Sequence, residues 1–185
     1  MKRFLLPLML LCAFAVIGSP VSAKKPESTS LLPEDVQETL KFMREEEKLA
    51  HDVYAYFNTL YPDANTFANI MESEQRHTDA VAGLLATYAV PDPVVVDANG
   101  LPVPGEFTDQ SLQKLYDDLV AIGEEGLEDA LNVGVAIEEK DIEDINAAIV
   151  EAVGYTDIVR VYTNLVAGSA RHLDGFLRAL DALDK

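Results

Sequence analysis

The chain has 185 residues, with 32 Asp and Glu against 14 Lys and Arg, a formal net charge of −18 and one cysteine. Such a charge sets the protein against nucleic acid and anionic membrane as partners, and suits either a salty exterior or the concentration of metal cations. The cysteine, Cys12, lies in an apolar leader, so disulfides, thiolate metal sites and cysteine nucleophiles are excluded from the domain that follows.

Lys2 and Arg3 precede an apolar run from Phe4 to Ile17, and Val21, Ser22 and Ala23 supply the small residues a signal peptidase reads. Residues 1–23 are therefore expected to be a signal peptide, cleaved after Ala23, and the protein to be exported to the periplasm or beyond. Leu11 ahead of Cys12 speaks against lipoprotein processing. No later segment reaches the roughly 18 consecutive apolar residues of a spanning helix. Residues 24–33, rich in Lys, Pro, Ser and Thr, read as a flexible lead to one domain over 34–185.

Pro33, followed by Glu34 and Asp35, predicts a helix start, because proline suits the first turn and acids favour the positive end of the helix dipole. The helix is expected to reach about Leu60, where Tyr61, Pro62 and Asp63 stop it. Its seam is Val36, Leu40, Met43, Ala50, Tyr54 and Phe57, interrupted by Glu47. A second helix, capped by Asn65 or Thr66, is predicted over 66–88. Along 67, 70, 74, 77, 81, 84 and 88 the steps alternate between 3 and 4, which puts Glu74 and His77 on the buried face one turn apart.

Residues 89–107 hold four prolines and two glycines, a long connection with room for an extended piece at Val94 to Val96. Adjacent antiparallel helices need only a short loop, so a connection of about 19 residues predicts a crossing from one end of a four-helix bundle to the other. A short helix over 109–122 carries Leu112, Leu115, Tyr116, Leu119 and Ile122 on one face. The third long helix, 127–153, has the seam Leu131, Val135, Glu138, Ile142, Ile145 and Ile149, with Asp141 one turn beyond Glu138. Gly134 weakens that helix by about 1 kcal/mol relative to alanine and predicts close packing there. The fourth, 156–183, follows Gly154 and carries Ile158, Tyr162, Leu165, Ser169, His172, Phe176 and Leu183 along its seam.

Each long helix thus has a polar break in an apolar seam: Glu47, Glu74 with His77, Glu138 with Asp141, and His172. At about 1.5 Å per residue, Glu47 lies about 20 Å before the end of its helix, and Glu74 and His77 about 12 to 17 Å after the start of theirs. Glu138 falls about 21 Å before its helix ends and His172 about 24 Å after its helix starts, so an antiparallel bundle brings all of them to a similar level. One such residue alone is usually a solvated position or a hydrogen-bonded core group. Four coincident breaks point instead to a shared partner, because a lone buried carboxylate costs several kcal/mol. Carboxylates and imidazoles together suit iron or manganese. Glu46 and His51, beside and one turn after Glu47, are expected at exposed or supporting positions, and Arg76 and Arg171 in surface ion pairs.

The motifs E-E-K-L-A-H-D-V-Y, S-E-Q-R-H and G-S-A-R-H-L, in this order, resemble the ferritin-like superfamily, most closely its uncharacterised branch of exported or prokaryotic domains. The resemblance spans about residues 35 to 180. It implies an all-α, ferritin-like four-helix bundle with a long crossover between helices 2 and 3 and one short extra helix. It also implies a metal site in which Glu47, with Tyr54 seven residues on, Glu74, His77, Glu138 and His172 are ligands. The superfamily expects a further glutamate near Ser169; serine cannot supply a bridging carboxylate's charge, and Asp141 stands as the substitute. The cofactor implied is iron, two ions, with manganese or a single ion as alternatives. The chemistry implied is reaction with oxygen, peroxide or ferrous iron. The competing reading is a non-catalytic metal-binding or structural bundle whose site has degenerated, and a homo-oligomer stays open.

Overall fold

Helical periodicity becomes five helices in the computed structural model, which describes residues 32–183. They are α1 (Glu34–Leu60), α2 (Asn65–Thr87), α3 (Gln110–Gly123), α4 (Leu127–Glu151) and α5 (Thr156–Leu183). The described residues contain no strand, only one antiparallel bridge between Val96 and Pro102. No described helix is long and apolar enough to cross a membrane. The signal segment and all of the lead except Leu32 and Pro33 lie outside the described residues. Leu32 is buried beside Val36 and Val90, and its carbonyl accepts a hydrogen bond from Gln37.

Local chemistry explains the ends. Pro33 precedes α1, whose first turn holds Glu34 and Asp35. Asp109 caps α3 by accepting from the Ser111 and Leu112 amides. The residue preceding α2 is Ala64, and no side chain caps that helix, so neither Asn65 nor Thr66 plays the expected part. Gly154, at φ 108°, supplies the left-handed turn between α4 and α5 that a side chain would resist.

α1 packs against α2 and α4, and α5 packs against the same two. Thr39, early in α1, donates to Glu151 at the end of α4, and Tyr61, just past α1, donates to the carbonyl of Gly123 just before α4. α4 is therefore antiparallel to α1, and the passage from α2 to α4 must travel the length of α1. It does so in two parts. The 89–107 segment folds over the middle of α1, with Arg44 reaching Asp92 and Lys48 donating to the carbonyls of Val103 and Glu106. α3 then starts where Glu45 accepts from the amides of Thr108 and Asp109, and ends against Phe57 and Tyr61.

The seams of α1, α2 and α5 follow the spacing down to Phe176, beyond which Leu183 is exposed. Two others differ. In α3, Leu115 and Ile122 are exposed, and Leu112 and Leu119 alone are fully buried among the expected face. In α4 the buried positions are Ala130, Leu131, Val133, Gly134, Ile137, Glu138, Asp141, Ile145 and Ala148, while Val135, Ile142 and Ile149 are half-buried. The seam is rotated because small residues face the neighbouring helices: a Cβ on Gly134 would lie 2.5 Å from Phe176 Cε1. That close approach is what Gly134 was expected to mark. The rotation carries Asp141 fully into the interior.

The core falls into two apolar clusters. One holds Val53, Tyr54, Phe57, Phe67, Leu131 and Phe176; the other holds Leu40, Met43, Val81, Leu85, Ile145 and Ile158. Between them lies a buried polar layer of Glu47, Glu74, His77, Glu138, Asp141, Ser169 and His172.

Candidate metal centre

All six residues singled out as ligands, Glu47, Glu74, His77, Glu138, Asp141 and His172, are buried, and the four long helices bring them to one level. Glu74 stands at the middle. Its Oε2 is 2.9 Å from His77 Nδ1, and its Oε1 is 2.5 Å from His172 Nδ1. His77 Nδ1 lies also 3.2 Å from Glu47 Oε2, and His172 Nδ1 lies 3.6 Å from Glu138 Oε2. The two imidazoles stack with centroids 5.2 Å apart. Glu74, His77 and His172 each offer a ligand atom within 4.8 Å of the others.

Supporting contacts hold the layer. Tyr54 OH donates to Glu138 Oε1 at 2.7 Å. Ser169 Oγ lies 2.5 Å from Asp141 Oδ2 and 3.1 Å from the Leu165 carbonyl, its one hydroxyl hydrogen shared between the two acceptors. Gly168 lets α5 close on His77, because a Cβ there would collide with the imidazole edge at Nε2 and Cε1.

Burial sets the electrostatics. It pushes the Glu47 carboxyl up to about 8 against the pull of His77, and the Glu138 carboxyl up to about 7 against the pull of His172. Burial also pushes Asp141 well up, with Glu47 and Glu46 adding to the effect. For Glu74 burial is outweighed by the facing imidazoles of His172 and His77, which hold it near 2. Burial disfavours the imidazolium forms, but the carboxylates prevail and raise His77 to about 10 and His172 to about 9. The layer therefore holds protons tightly, with Glu74 its most firmly ionised carboxylate, and a cation entering it would displace them.

The residues fit such a cation. Both Glu47 carboxylate oxygens, Glu74 Oε1 and the Nδ1 atoms of both histidines form no well-aligned hydrogen bond. Several of them are within ion-pair distance of one another, so they converge on shared space without pairing in hydrogen-bond geometry. Buried polar atoms are otherwise almost always bonded. Carboxylate and imidazole donors on facing helices are what a hard or borderline divalent metal takes.

Near this layer Arg76 and Arg171 depart from expectation, and other polar residues find partners of their own. Glu46 is buried and faces Asp144 of α4, and burial followed by that neighbour raises its pKa well above the usual range. His51 is half-buried, with Nδ1 2.9 Å from Asp52 Oδ1. Glu45, Lys48 and Asp52, whose part no apolar period could reveal, tie the crossing segment to α1. Lys48 Nζ is 2.5 Å from Asp52 and sits 4.4 Å over the Phe107 ring. Arg76 and Arg171 form no ion pair among the described residues; both line a cleft between α2 and α5.

Fold and site together define a helical protein with a buried carboxylate and histidine cluster able to hold a metal. The chain belongs to the family described as an uncharacterized protein domain, DUF2202, which it matches over residues 36–184. It is similar to the uncharacterized protein MJ0754 of Methanocaldococcus jannaschii, with 43% identity over 152 residues, covering 81% of this chain and 77% of that one. It is similar also to a crystal structure of the hypothetical protein MJ0754 from Methanococcus jannaschii, with a TM-score of 0.75 and 41% identity, covering 88% of this chain and 86% of that chain.

Proposed function

We propose that this is an exported, ferritin-like four-helix bundle that binds a pair of iron ions in its buried polar layer. The observation that carries this reading is the position of Glu74: one carboxylate oxygen faces His77 and the other faces His172. Each histidine in turn faces a further carboxylate, Glu47 or Glu138. The layer thus reads as two half-sites, each with one imidazole and one terminal carboxylate, sharing the carboxylate of Glu74 between them. Asp141, held by Ser169, supplies the fourth acid at the place where α5 carries no glutamate.

In this reading Glu47, Glu74, His77, Glu138 and His172 would hold the ions, with Asp141 beside them as the remaining acid. A bound iron pair would supply redox chemistry towards oxygen, peroxide or further ferrous iron. The protein's own residues would then keep bulk water out through the two apolar clusters, orient Glu138 through Tyr54, and hold protons on the carboxyls not engaged by metal.

A second reading, a single ion in a non-catalytic bundle, is favoured by one observation: the ligand atoms of Glu74, His77 and His172 lie within 4.8 Å of one another and can share one cation. Anaerobic reconstitution with ferrous iron, followed by metal counting and optical spectra on exposure to oxygen, decides between them. Two ions per chain with an oxygen-dependent spectral change support the iron pair. One ion with no change supports the second reading, and no retained metal sinks both.

A further inference from the structure

Each histidine of the buried layer is preceded in sequence by an arginine: Arg76 before His77 and Arg171 before His172. One residue along a helix is a rotation of about 100°, which carries the arginine from the buried face to the edge of its helix. On the packed, antiparallel pair α2 and α5 both edges border one groove. Arg76 and Arg171 meet there at a cleft of about 490 Å3, joined by Arg178 and by Asn69, Ser73 and His172.

The chemistry of this cleft is opposite to that of the chain as a whole. With a net charge of −18, the protein still brings three of its five described arginines to one cleft, and no carboxylate lines it. Arg178 pairs with Asp174 one turn away. Arg76 and Arg171 have no ion pair or hydrogen bond among the described residues, so both guanidinium forks are free to bind. Two planar forks beside a hydroxyl and a carboxamide form a site rich in donors, whose natural ligand carries several acceptor oxygens and at least two negative charges. The volume suits a small molecule.

We propose that the α2–α5 cleft binds a small polyanion, bearing phosphate or several carboxylates, between Arg76 and Arg171 and against the His172 wall of the buried layer. This does not depend on the metal reading, because the arginines, and not the ligands of the layer, hold the anion. The bound anion covers the face on which His172 is reached from solvent.

The test is calorimetric titration of the full-length, metal-free protein with inorganic phosphate and, separately, with citrate. Saturable binding of either supports the proposal, and the ligand that binds assigns the class as phosphate or polycarboxylate. Arg76→Gln with Arg171→Gln should weaken it by about tenfold or more, the loss of at least one charge-assisted hydrogen bond. Arg76→Lys with Arg171→Lys, which keeps the charge without the fork, should fall between, and supplies the readout if the glutamine pair fails to fold. Arg160→Gln, outside the cleft, should bind as the unaltered protein does. Iron content after reconstitution should be the same in all these variants, which keeps the outcome separate from that of the metal reading. No saturable binding of either anion, or an equal loss in Arg160→Gln, overturns the proposal.

Discussion

Ser169 on α5 donates a hydrogen bond to Asp141 on α4 across the buried layer, at 2.5 Å. On the ferritin-like reading proposed above, the pair stands where α5 carries Ser169 in place of the expected glutamate. Asp141 is an acid on the neighbouring helix, and Ser169 is small enough to admit it and polar enough to hold it. On the iron-pair reading Asp141→Asn should lower the iron stoichiometry from two towards one, and Ser169→Glu in that background should partly restore it. Metal counting on the reconstituted variants is the check; two irons retained by Asp141→Asn would remove Asp141 from the ligand set.

Glu74 and Glu47 should behave differently when replaced in the metal-free protein. Glu74 is ionised between two imidazoles, so Glu74→Ala leaves both without their central partner and should cost on the order of 3 kcal/mol. Glu47, raised to about 8, is protonated at neutral pH, and Glu47→Gln should cost under about 1 kcal/mol. Both variants should lose most of their metal. Urea unfolding of the metal-free forms, with iron analysis of the reconstituted ones, separates the two effects.

The response to pH should change sign with metal. Glu47, Glu138, His77 and His172 all have folded pKa values above their unfolded ones, so their contribution is complete at low pH and is lost as pH rises towards 7 to 10. Glu74 is depressed to about 2, so its contribution is lost as pH falls from about 4 towards 2. The metal-free protein should therefore be most stable at about pH 4 to 5 and weaken towards pH 8. The metal-loaded protein should strengthen over that range, because ligation releases protons. Parallel melting curves that do not diverge with pH would count against ligation by these groups.

Glycines sort the packing from the site. Gly83→Ala meets nothing within 4 Å and should stabilise α2 by up to about 1 kcal/mol. Gly134→Ala places a methyl 2.5 Å from Phe176 and should cost on the order of 2 kcal/mol in spite of the better helix former. Gly168→Ala pushes on the His77 ring, so its signature should be lost metal with helical content intact. Circular dichroism, melting and metal analysis on the three variants distinguish these outcomes.

The crossing segment should come loose without its tether. Burial raises the Asp52 pKa, but His51, Lys48 and the Gly105 amide outweigh it and hold the carboxylate below its ordinary value. Asp52→Ala removes the partner of buried Lys48 and should cost about 3 kcal/mol. Faster amide exchange in residues 102–109, with α2 and α5 unchanged, is the expected pattern.

The helices, to within a residue or two at almost every end, and the residues that break their seams are legible in the order of amino acids alone. Both are local facts: a 3-4 spacing of apolar side chains, a proline, a glycine or an acid in the first turn acts within a few residues and needs no partner. The rest required the helices to be packed. Glu74 could be placed on a buried face, but that its two oxygens part between His77 and His172 depends on how α2 and α5 meet. The α4 seam could not be aimed from its isoleucines, because Ala130, Gly134 and Ala148 turn the helix through close approach, which an apolar count does not register. Glu45, Lys48 and Asp52 lie off the apolar seam of α1, and their part as a tether exists only once the irregular segment lies over them. Arg76 and Arg171, 95 residues apart in the chain, became neighbours on one groove only when α2 and α5 came together, since the chain position of two residues says nothing about the relative rotation of the helices that carry them.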